Sequence, residues 1–165
     1  MFMPMCDAVY LPTFEGCLVC GQPHVNPQTL NRRFKVTPEG VQVSFQADIR
    51  QAGYRGIVHG GIITALLDET IGWAVAVSSK KFFVTGELTV RFVRPLPIGL
   101  TVTVLGRSLE HKSKYSIGEG EIKDENGTLY AKASGKFFHM RHDQALEVNS
   151  YLTFMENDLN ILASV

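Results

Sequence analysis

The chain has 165 residues, of which 45% are hydrophobic and 19% charged, a composition typical of one globular domain with its own core. Its 16 basic and 16 acidic residues balance, so the net charge gives no sign of binding to nucleic acid or to an anionic membrane.

The N-terminal stretch MFMPMCDAVYLP carries no basic leader, and Pro4 and Asp7 interrupt its apolar residues. We therefore predict no signal peptide. No apolar run reaches the roughly 18 to 20 residues of a membrane span, so we expect none. Three cysteines do not make a disulfide scaffold in a chain of this size, which favours the reducing cytoplasm as its location.

Several strands and one long helix are predicted from the pattern of apolar residues. Prolines punctuate residues 1–30, which indicates an irregular segment. Alternating residues predict strands, and a long apolar run without proline predicts a helix. In chain order the predicted elements are strands RRFKV (32–36) and VQVSFQA (41–47), loop QAGYRGIV (51–58), a helix from Gly60 to about Ser78, strands FFVTGELTVRFVRP (82–95), LTVTVLGRSLEH (100–111), KYSIGEGEIKD (114–124) and LYAKASGKFFHM (129–140), and a tail, 143–165, with roughly helical spacing.

The order of these elements favours an α+β fold. Strands do not alternate with helices, which argues against a parallel sheet. A mostly antiparallel sheet curled around one central helix fits instead, with residues 31–142 as the domain. The helix is apolar on nearly every side, which indicates that it is enclosed. Between the last two strands, the Asn-Gly pair of DENG (124–127) tolerates the positive φ that a type I′ turn needs.

His59, Gly60 and Gly61 stand where the predicted helix begins. The first N–H groups of a helix lack intrahelical acceptors and lie at the positive end of its dipole. Because glycine has no Cβ, another molecule can approach these groups closely. The diglycine is therefore a candidate site for a carbonyl oxygen that gains negative charge. The alternative is a tight turn that merely leads into the helix.

Two adjacent acids, Asp68 and Glu69, lie in the middle of this apolar helix. Burying an ionised carboxylate is costly unless the group is paired or used. Asp68 follows His59 by nine residues. That spacing puts it on the opposite side of the helix and about 13 Å further along the axis. The two side chains therefore cannot meet on one small reacting group within one chain.

Asp68 shares a stripe of small and polar residues with Gly61, Thr64 and Gly72. A second helix can approach such a stripe. A symmetric dimer with antiparallel central helices brings Asp68 of one chain towards the diglycine end of the other. Glu69 is turned by about 100° from Asp68 and leaves the stripe. We therefore favour Asp68 as the reactive acid, with an ion pair at the interface edge as the alternative for Glu69.

The stretch GYRGIVHGGIITALLDETIG (53–72) resembles the signature of hot-dog-fold acyl-CoA thioesterases of the PaaI-like group, and VTGELTVRFVRPLPIG (84–99) carries the resemblance further. The resemblance implies a five- or six-stranded antiparallel sheet wrapped around one helix, dimers that join their sheets edge to edge, and active sites at the dimer interface. It implies an acyl-CoA substrate and a homodimer or a dimer of dimers. Because a thioester is already activated, no metal or cofactor is required.

By the same resemblance, the acid nine residues after the histidine is the general base or nucleophile. The glycine after the histidine offers its N–H to the thioester carbonyl, and the histidine helps to set that end of the site. A hydroxyl residue ten positions before the proline that ends the next strand assists the acid. In this chain the predicted catalytic residues are Asp68, Gly60, His59 and Thr85, and the predicted substrate-binding residues are Gly61, Gln51 and Glu69.

Gln51 departs from the family pattern in its spacing, and Thr85 fits the pattern only if its strand contains a bulge. Many relatives place an Asn or Gln a few residues before the histidine, whereas Gln51 stands eight before it. Strict alternation puts Thr85 on the opposite strand face from Leu88. A β-bulge at Gly86 re-aims Thr85; without one, it is an ordinary strand threonine.

Other candidate contacts are aromatic, basic or sulfur-containing. CLVCGQPHVNP holds Cys17, Cys20 and His24, with Cys6 upstream, which suggests either a Cys3His zinc site or, as we prefer, a structured loop with buried thiols. The candidate acyl-chain wall is Ile57, Ile62, Leu66, Trp73, Phe82 and Phe83, and the candidate phosphate contacts are Arg91, Arg94, Arg107, Lys112 and Lys114; core packing and a solvated strand face are the alternatives.

We therefore predict hydrolysis of acyl-CoA to the free acid and CoA. Asp68 activates water or attacks directly, and the helix start stabilises the oxyanion. Two other functions stay open. One is a hydratase or dehydratase of the same fold, which usually has different residues around its histidine. The other is a non-catalytic acyl-CoA-binding module, which usually replaces the acid and carries a DNA-binding segment.

Overall fold

The computed structural model describes residues 8–164, which fold as a six-stranded antiparallel sheet around one long helix. This confirms the predicted α+β hot-dog architecture. A short second helix follows the sheet. The elements are β1 (Lys35–Thr37), β2 (Gly40–Gln46), β3 (Ala52–Tyr54), β4 (Ile57–Val58), α1 (Gly60–Ser79), β5 (Phe83–Phe92), β6 (Thr101–His111), β7 (Tyr115–Asp124), β8 (Leu129–His139) and α2 (His142–Ser150).

The main sheet has the strand order β1-β2-β6-β7-β8-β5, and every neighbouring pair is antiparallel. The predicted hairpin of the first two strands and the four long strands after the helix are confirmed. In the described chain β5 pairs with β8 alone, so its outer edge is open. An open edge offers unpaired backbone groups to another strand. This edge is therefore the place where a second sheet can be added.

Helix α1 crosses the inner face of the sheet, mainly over β6 and β7. It ends one residue later than predicted, at Ser79, because Lys80 adopts a left-handed conformation (φ 58°) that closes the last turn. Its own side chains Leu66 and Ile71 are fully buried in the core. Each such side chain contributes roughly 1.5–3 kcal/mol of burial free energy.

By length and composition alone, α1 is an exception to the prediction that no apolar run reaches the length of a membrane span. By length and composition its 20 residues pass as a span, with a mean hydropathy of 1.4. Two acids do not prevent this, because the neighbouring residues are strongly apolar. Half of the span-like stretch is nevertheless buried inside the protein, against the sheet. The helix is therefore the core helix of this fold.

The N-terminal segment and the tail pack against each other and join the same core. Tyr10 forms a parallel bridge with Asp158, and Thr13 forms an antiparallel bridge with Thr153. Arg33 forms an ion pair with Asp158. Of the tail (143–165) for which helical spacing was predicted, only the first part of its described residues lies in an α-helix, α2 (His142–Ser150). Buried residues from these two segments include Leu11, Val19, Leu30, Ala145 and Ile161.

The stretch before α1 is a hairpin and not the predicted loop. Strands β3 and β4 pair Ala52 with Val58 and Tyr54 with Ile57. Gly56 has a positive φ of 76°, which closes the turn between them. The glycines interrupt the β-forming residues of this stretch, so the alternation of residue types does not predict these two short strands.

The turn between β7 and β8 is not the predicted type I′. Only Gly127 of the four residues has a positive φ, 80°, whereas a type I′ turn needs two. The Asp124 side chain accepts hydrogen bonds from the N–H groups of Asn126 (3.0 Å) and Thr128 (2.9 Å). These side-chain bonds hold the turn in a different conformation.

Candidate active site

His59 caps the start of α1. Its ring Nδ1 accepts a hydrogen bond from the Gly61 N–H at 2.8 Å. Such a cap satisfies one of the helix's unpaired donors. Since Nδ1 is the acceptor, the neutral ring carries its proton on Nε2. His59 therefore fixes the helix start, and the Gly61 N–H is already engaged within the chain.

The Gly60 N–H is the free donor at this helix start. It is the first N–H of α1 and has no acceptor among residues 8–164. Gln51 supports the turn from outside the helix. Its carbonyl accepts the His59 N–H at 2.8 Å, and its side-chain oxygen accepts the Asp48 N–H at 2.8 Å. Gln51 thus holds the backbone that presents Gly60.

A cavity of about 580 Å³, here called the diglycine cavity, opens beside Gly60. Its walls come from the β3–β4 hairpin, the helix start and the end of β5. The Phe92 ring lies 3.4 Å from where a Cβ on Gly60 would stand. Arg94 also lines the cavity, and it is exposed. The other four predicted phosphate contacts lie outside this lining: Arg91, Arg107, Lys112 and Lys114.

Thr85 reaches the helix, because β5 contains a bulge at Gly86. The register of β5 against β8 shifts between Thr85 and Glu87, which turns Thr85 to the inner face. Its hydroxyl donates a hydrogen bond to Asp68 Oδ1 at 2.9 Å. Glycine suits the bulge because a Cβ there would lie 2.4 Å from the Phe138 ring. The structure thus contains the bulge on which the prediction for Thr85 depended.

Asp68 faces a second cavity of about 240 Å³, here called the acid cavity. Burial raises the pKa of Asp68, and the hydrogen bond from Thr85 opposes that rise. Within residues 8–164 no basic nitrogen lies within 4.0 Å of its carboxylate. A half-buried carboxylate without a counter-ion in a cavity is typical of a functional acid or base. The lining is Asp68, Glu69, Gly72, Trp73, Ala76, Phe82, Phe83, Thr85, Met140, Val148 and Leu152.

Glu69 also lines the acid cavity, but hydrogen bonds engage both of its oxygens. The Cys17 thiol donates to Oε2 at 3.1 Å, and the Trp73 ring N–H donates to Oε1 at 3.4 Å. Burial, reinforced by Cys17, raises the pKa of Glu69 to about 8. The hydrogen bond with Cys20 lowers the pKa of Cys17 to about 5, and the same contact raises the pKa of Cys20. Among the described residues Glu69 has no partner for the predicted ion pair.

The sequence suggested other partners for these cysteines. Cys6 lies outside the described residues, and His24 is exposed. The structure instead brings Cys17 and Cys20 to Glu69, which is distant in sequence.

The two halves of the predicted site lie apart in one chain. In the part of the chain that the structure describes, the diglycine cavity and the acid cavity share no lining residue. One end of the predicted stripe is also closed, because a Cβ at Gly72 would lie 2.6 Å from the Phe83 ring. A partner helix therefore does not pack at Gly72. Gly61, at the other end, is exposed.

Sequence patterns missed part of the acid cavity. Met140, directly after β8, and Val148 and Leu152 of the tail form one of its walls. Helical spacing predicts that the tail has a buried face but not what that face covers. Of the predicted acyl wall, Leu66 is fully buried in the core. Trp73, Phe82 and Phe83 line the acid cavity, and Ile57 lines the diglycine cavity.

Known proteins are similar to this chain in sequence and in fold. A family model described as the thioesterase superfamily matches residues 55–131. A Saccharolobus solfataricus protein, named a putative esterase, is 34% identical over 102 residues, which span 61% of this chain and 71% of that protein. An acyl-coenzyme A thioesterase of Mus musculus is 28% identical over 102 residues, but the match spans only 40% of its length. The chain belongs to the thioesterase superfamily, a class of thioester hydrolases.

Solved structures support the same assignment. A thioesterase superfamily protein, RHA08564, superposes with a TM-score of 0.69 at 25% identity, over 75% of this chain and 60% of that one. The BH2602 protein of Bacillus halodurans, solved with CoA, has a TM-score of 0.55 at 25% identity, over 60% of this chain and 66% of that one. A hypothetical thioesterase of Streptococcus pneumoniae, solved with coenzyme A, shares the fold with a TM-score of 0.61 at 21% identity, over 67% of this chain and 89% of that one.

Proposed function

We propose that this chain hydrolyses acyl-CoA thioesters to the free acid and CoA, at a site that two chains build together. The observation that carries the proposal is the Asp68 carboxylate, which is hydrogen-bonded to Thr85, lacks a counter-ion in the described chain and faces an apolar cavity. A carboxylate of raised pKa is suited to take a proton from water near neutral pH.

The reaction needs one base and one donor for the oxyanion. Asp68 takes a proton from water, and the resulting hydroxide attacks the thioester carbonyl carbon. The Gly60 N–H donates to the oxygen that becomes negative. The C–S bond then breaks, and the CoA sulfur leaves with the proton held by Asp68. In the alternative route Asp68 attacks the carbonyl carbon itself and the CoA thiolate leaves as the C–S bond breaks. Water then hydrolyses the mixed anhydride, which releases the free acid, restores the Asp68 carboxylate and supplies the proton of the CoA thiol.

Pairing of two β5 edges joins the two halves of the site. The start of β5 contributes Phe83 and Thr85 to the acid cavity, and its end contributes Phe92 to the diglycine cavity. In an antiparallel pair about a two-fold axis, the start of one β5 lies beside the end of the other. Each acid cavity then adjoins the partner's diglycine cavity. Phe92 is 53% exposed, an apolar side chain that such pairing covers.

The substrate class follows from the lining and from the family. The aromatic and aliphatic walls of the acid cavity suit an acyl chain. Arg94, exposed at the diglycine cavity, suits a phosphate of CoA. Two of the similar structures were solved with CoA, which supports the same class of ligand here. The cytoplasmic location and the assembly beyond a dimer stay predictions.

A thiol-release assay on acyl-CoAs of increasing chain length tests the function. We expect release of free CoA by the wild-type chain, and a loss of about 10²- to 10⁴-fold in kcat for Asp68→Asn. Glu125→Gln, which alters an exposed acid in the β7–β8 turn, is the control and keeps wild-type turnover.

Two other outcomes of the same assay would contradict the proposal. Tight binding of acyl-CoA without thiol release indicates a binding module. Hydration of an enoyl-CoA without thiol release indicates a hydratase.

A further inference from the structure

We propose that Cys17, Cys20 and Glu69 bind a zinc ion that ties the N-terminal segment to the central helix. The site is new relative to the thioesterase function and does not depend on it. Its ligands include none of the proposed catalytic residues, and Glu69, for which the sequence predicts substrate binding, is assigned to the metal instead. Its three ligands come from two segments that only the folded chain brings together.

The donor atoms already have the spacing that a metal site needs. The two cysteine sulfurs and a carboxylate oxygen of Glu69 lie within 4.8 Å of one another. Cys17 Sγ is 3.1 Å from Glu69 Oε2. In a tetrahedral zinc site, neighbouring sulfur and oxygen ligands lie roughly 3.5 to 3.8 Å apart. Small side-chain movements therefore suffice to place one ion between these three atoms.

The backbone around Cys17 is arranged for a negatively charged sulfur. The N–H groups of Val19 and Cys20 both point at Cys17 Sγ, at 3.3 and 3.4 Å. Backbone donors directed at one sulfur stabilise a thiolate, which is the form that binds metals. Cys20 follows three residues later in the same turn and is buried. The turn thus presents two sulfurs side by side, as a Cys-x-x-Cys zinc turn does.

No basic side chain of the described chain competes for this cluster. Within the described residues no lysine, arginine or histidine forms an ion pair with Glu69. Among the same residues neither Cys17 nor Cys20 forms a disulfide bond. The three donor atoms are therefore available to a divalent ion.

The ligand set selects zinc among the divalent ions. Thiolates are soft ligands that calcium and magnesium avoid, since those ions take oxygen ligands. An iron–sulfur cluster needs four protein ligands, usually cysteines. Two sulfurs and one carboxylate leave the fourth position of a tetrahedral zinc ion to water.

Such an ion cross-links two parts of the fold that lie far apart in the sequence. Cys17 and Glu69 are 52 residues apart. A metal that binds only the folded chain stabilises it by mass action and closes a long loop. We therefore expect the N-terminal segment to be less firmly held on α1 after chelation.

Metal analysis and cobalt spectroscopy of the full chain test this inference. Protein purified under a phosphine reductant is expected to carry about one zinc per chain. After chelation, added Co²⁺ is expected to produce a sulfur-to-cobalt charge-transfer band and intense visible bands of tetrahedral Co²⁺, and Zn²⁺ abolishes both. Absence of the charge-transfer band in the wild-type chain overturns the proposal, whether or not any variant folds.

Variants assign the ligands. Cys17→Ser and Cys20→Ser should each lower the metal content to below about 0.1 per chain. Glu69→Gln should shift the visible cobalt bands and weaken zinc at least about tenfold. His24→Ala, in the same segment, and Asp68→Asn, beside Glu69, are the controls and keep full metal content. Equal metal in wild type and both serine variants, or loss of metal in His24→Ala, contradicts the proposed ligand set.

Discussion

The Thr85 hydroxyl and the Asp68 carboxylate are joined by a hydrogen bond of 2.9 Å, although they lie on different elements of the fold. The contact exists because β5 bulges at Gly86 and turns Thr85 towards α1. It links a local backbone irregularity to the reactivity of the proposed base.

Replacing Thr85 should change the pH dependence of turnover. The Thr85 hydrogen bond lowers the pKa of Asp68 against the rise caused by burial. In Thr85→Val that bond is lost, so the pKa of Asp68 rises further. The acidic limb of the pH–rate profile should then move to higher pH, because turnover needs the ionised form. We also expect kcat to fall about 10- to 100-fold, since a hydrogen bond to a charged group contributes about 1.5–3 kcal/mol.

Thr85→Ser is the matched control, because serine keeps the hydroxyl. The acidic limb of its pH–rate profile should stay at the wild-type pH. If the acidic limbs of the Thr85→Val and Thr85→Ser variants lay at the same pH, Thr85 would have only a packing role. Initial rates across the acidic range, for both variants and the wild type, decide between these outcomes.

Asp68→Asn should make the fold more stable near neutral pH. Because burial raises the folded-state pKa of Asp68 above its unfolded value, its ionised form opposes folding above the unfolded pKa. Asparagine removes that charge and still accepts the Thr85 hydrogen bond. Its Tm should exceed that of wild type at about pH 7, and the difference should shrink as the pH falls below about 4, where Asp68 becomes protonated in both states. A lower Tm at neutral pH would show that the ionised carboxylate is stabilising.

The bulge itself can be tested by filling the space at Gly86. A Cβ there would lie 2.4 Å from the Phe138 ring, so Gly86→Ala should cost about 1–3 kcal/mol of unfolding free energy and lower turnover. Phe138 is 45% exposed and can be truncated cheaply. The double variant Gly86→Ala/Phe138→Ala should recover much of the loss. Purely additive effects in this cycle would mean that the ring is not what excludes a side chain.

Local patterns in the sequence were enough to predict the six strands of the main sheet and the helix α1, and to single out Asp68 as an acid in an apolar helix. Those features depend on periodicity and on the cost of an acid in an apolar helix. The Cys17–Glu69 contact was not predictable, because it joins residues 52 apart through an irregular segment. The turn at Asp124 was missed because a side chain overrides the Asn-Gly preference. The bulge at Gly86 depends on strand register, which alternation alone does not fix.

The engagement of the Gly61 N–H by His59 is another feature that a motif does not contain. Both glycines look equivalent in the sequence. Only the cap shows that Gly60 holds the free donor. This distinction allows the free donor to be removed by a single substitution at the helix start.

Gly60→Pro is that substitution, because proline lacks the N–H and is well tolerated at the first helical position. We expect it to lower turnover about 10²- to 10³-fold, the usual effect of losing one oxyanion donor. Gly60→Ala keeps the N–H and serves as the control for added bulk. His59, whose backbone is extended, is compatible with a following proline.

Activity of mixed dimers tests most directly whether two chains share each site. Differently tagged chains, one with Asp68→Asn and one with Gly60→Pro, are co-expressed and isolated as heterodimers. One of their two shared sites is intact, so we expect about half of the wild-type turnover, although both homodimers are inactive. A heterodimer of wild type with the double variant Gly60→Pro/Asp68→Asn should be inactive, since each shared site then lacks one group. The reverse pattern, with the first heterodimer inactive and the second half-active, would contradict the account.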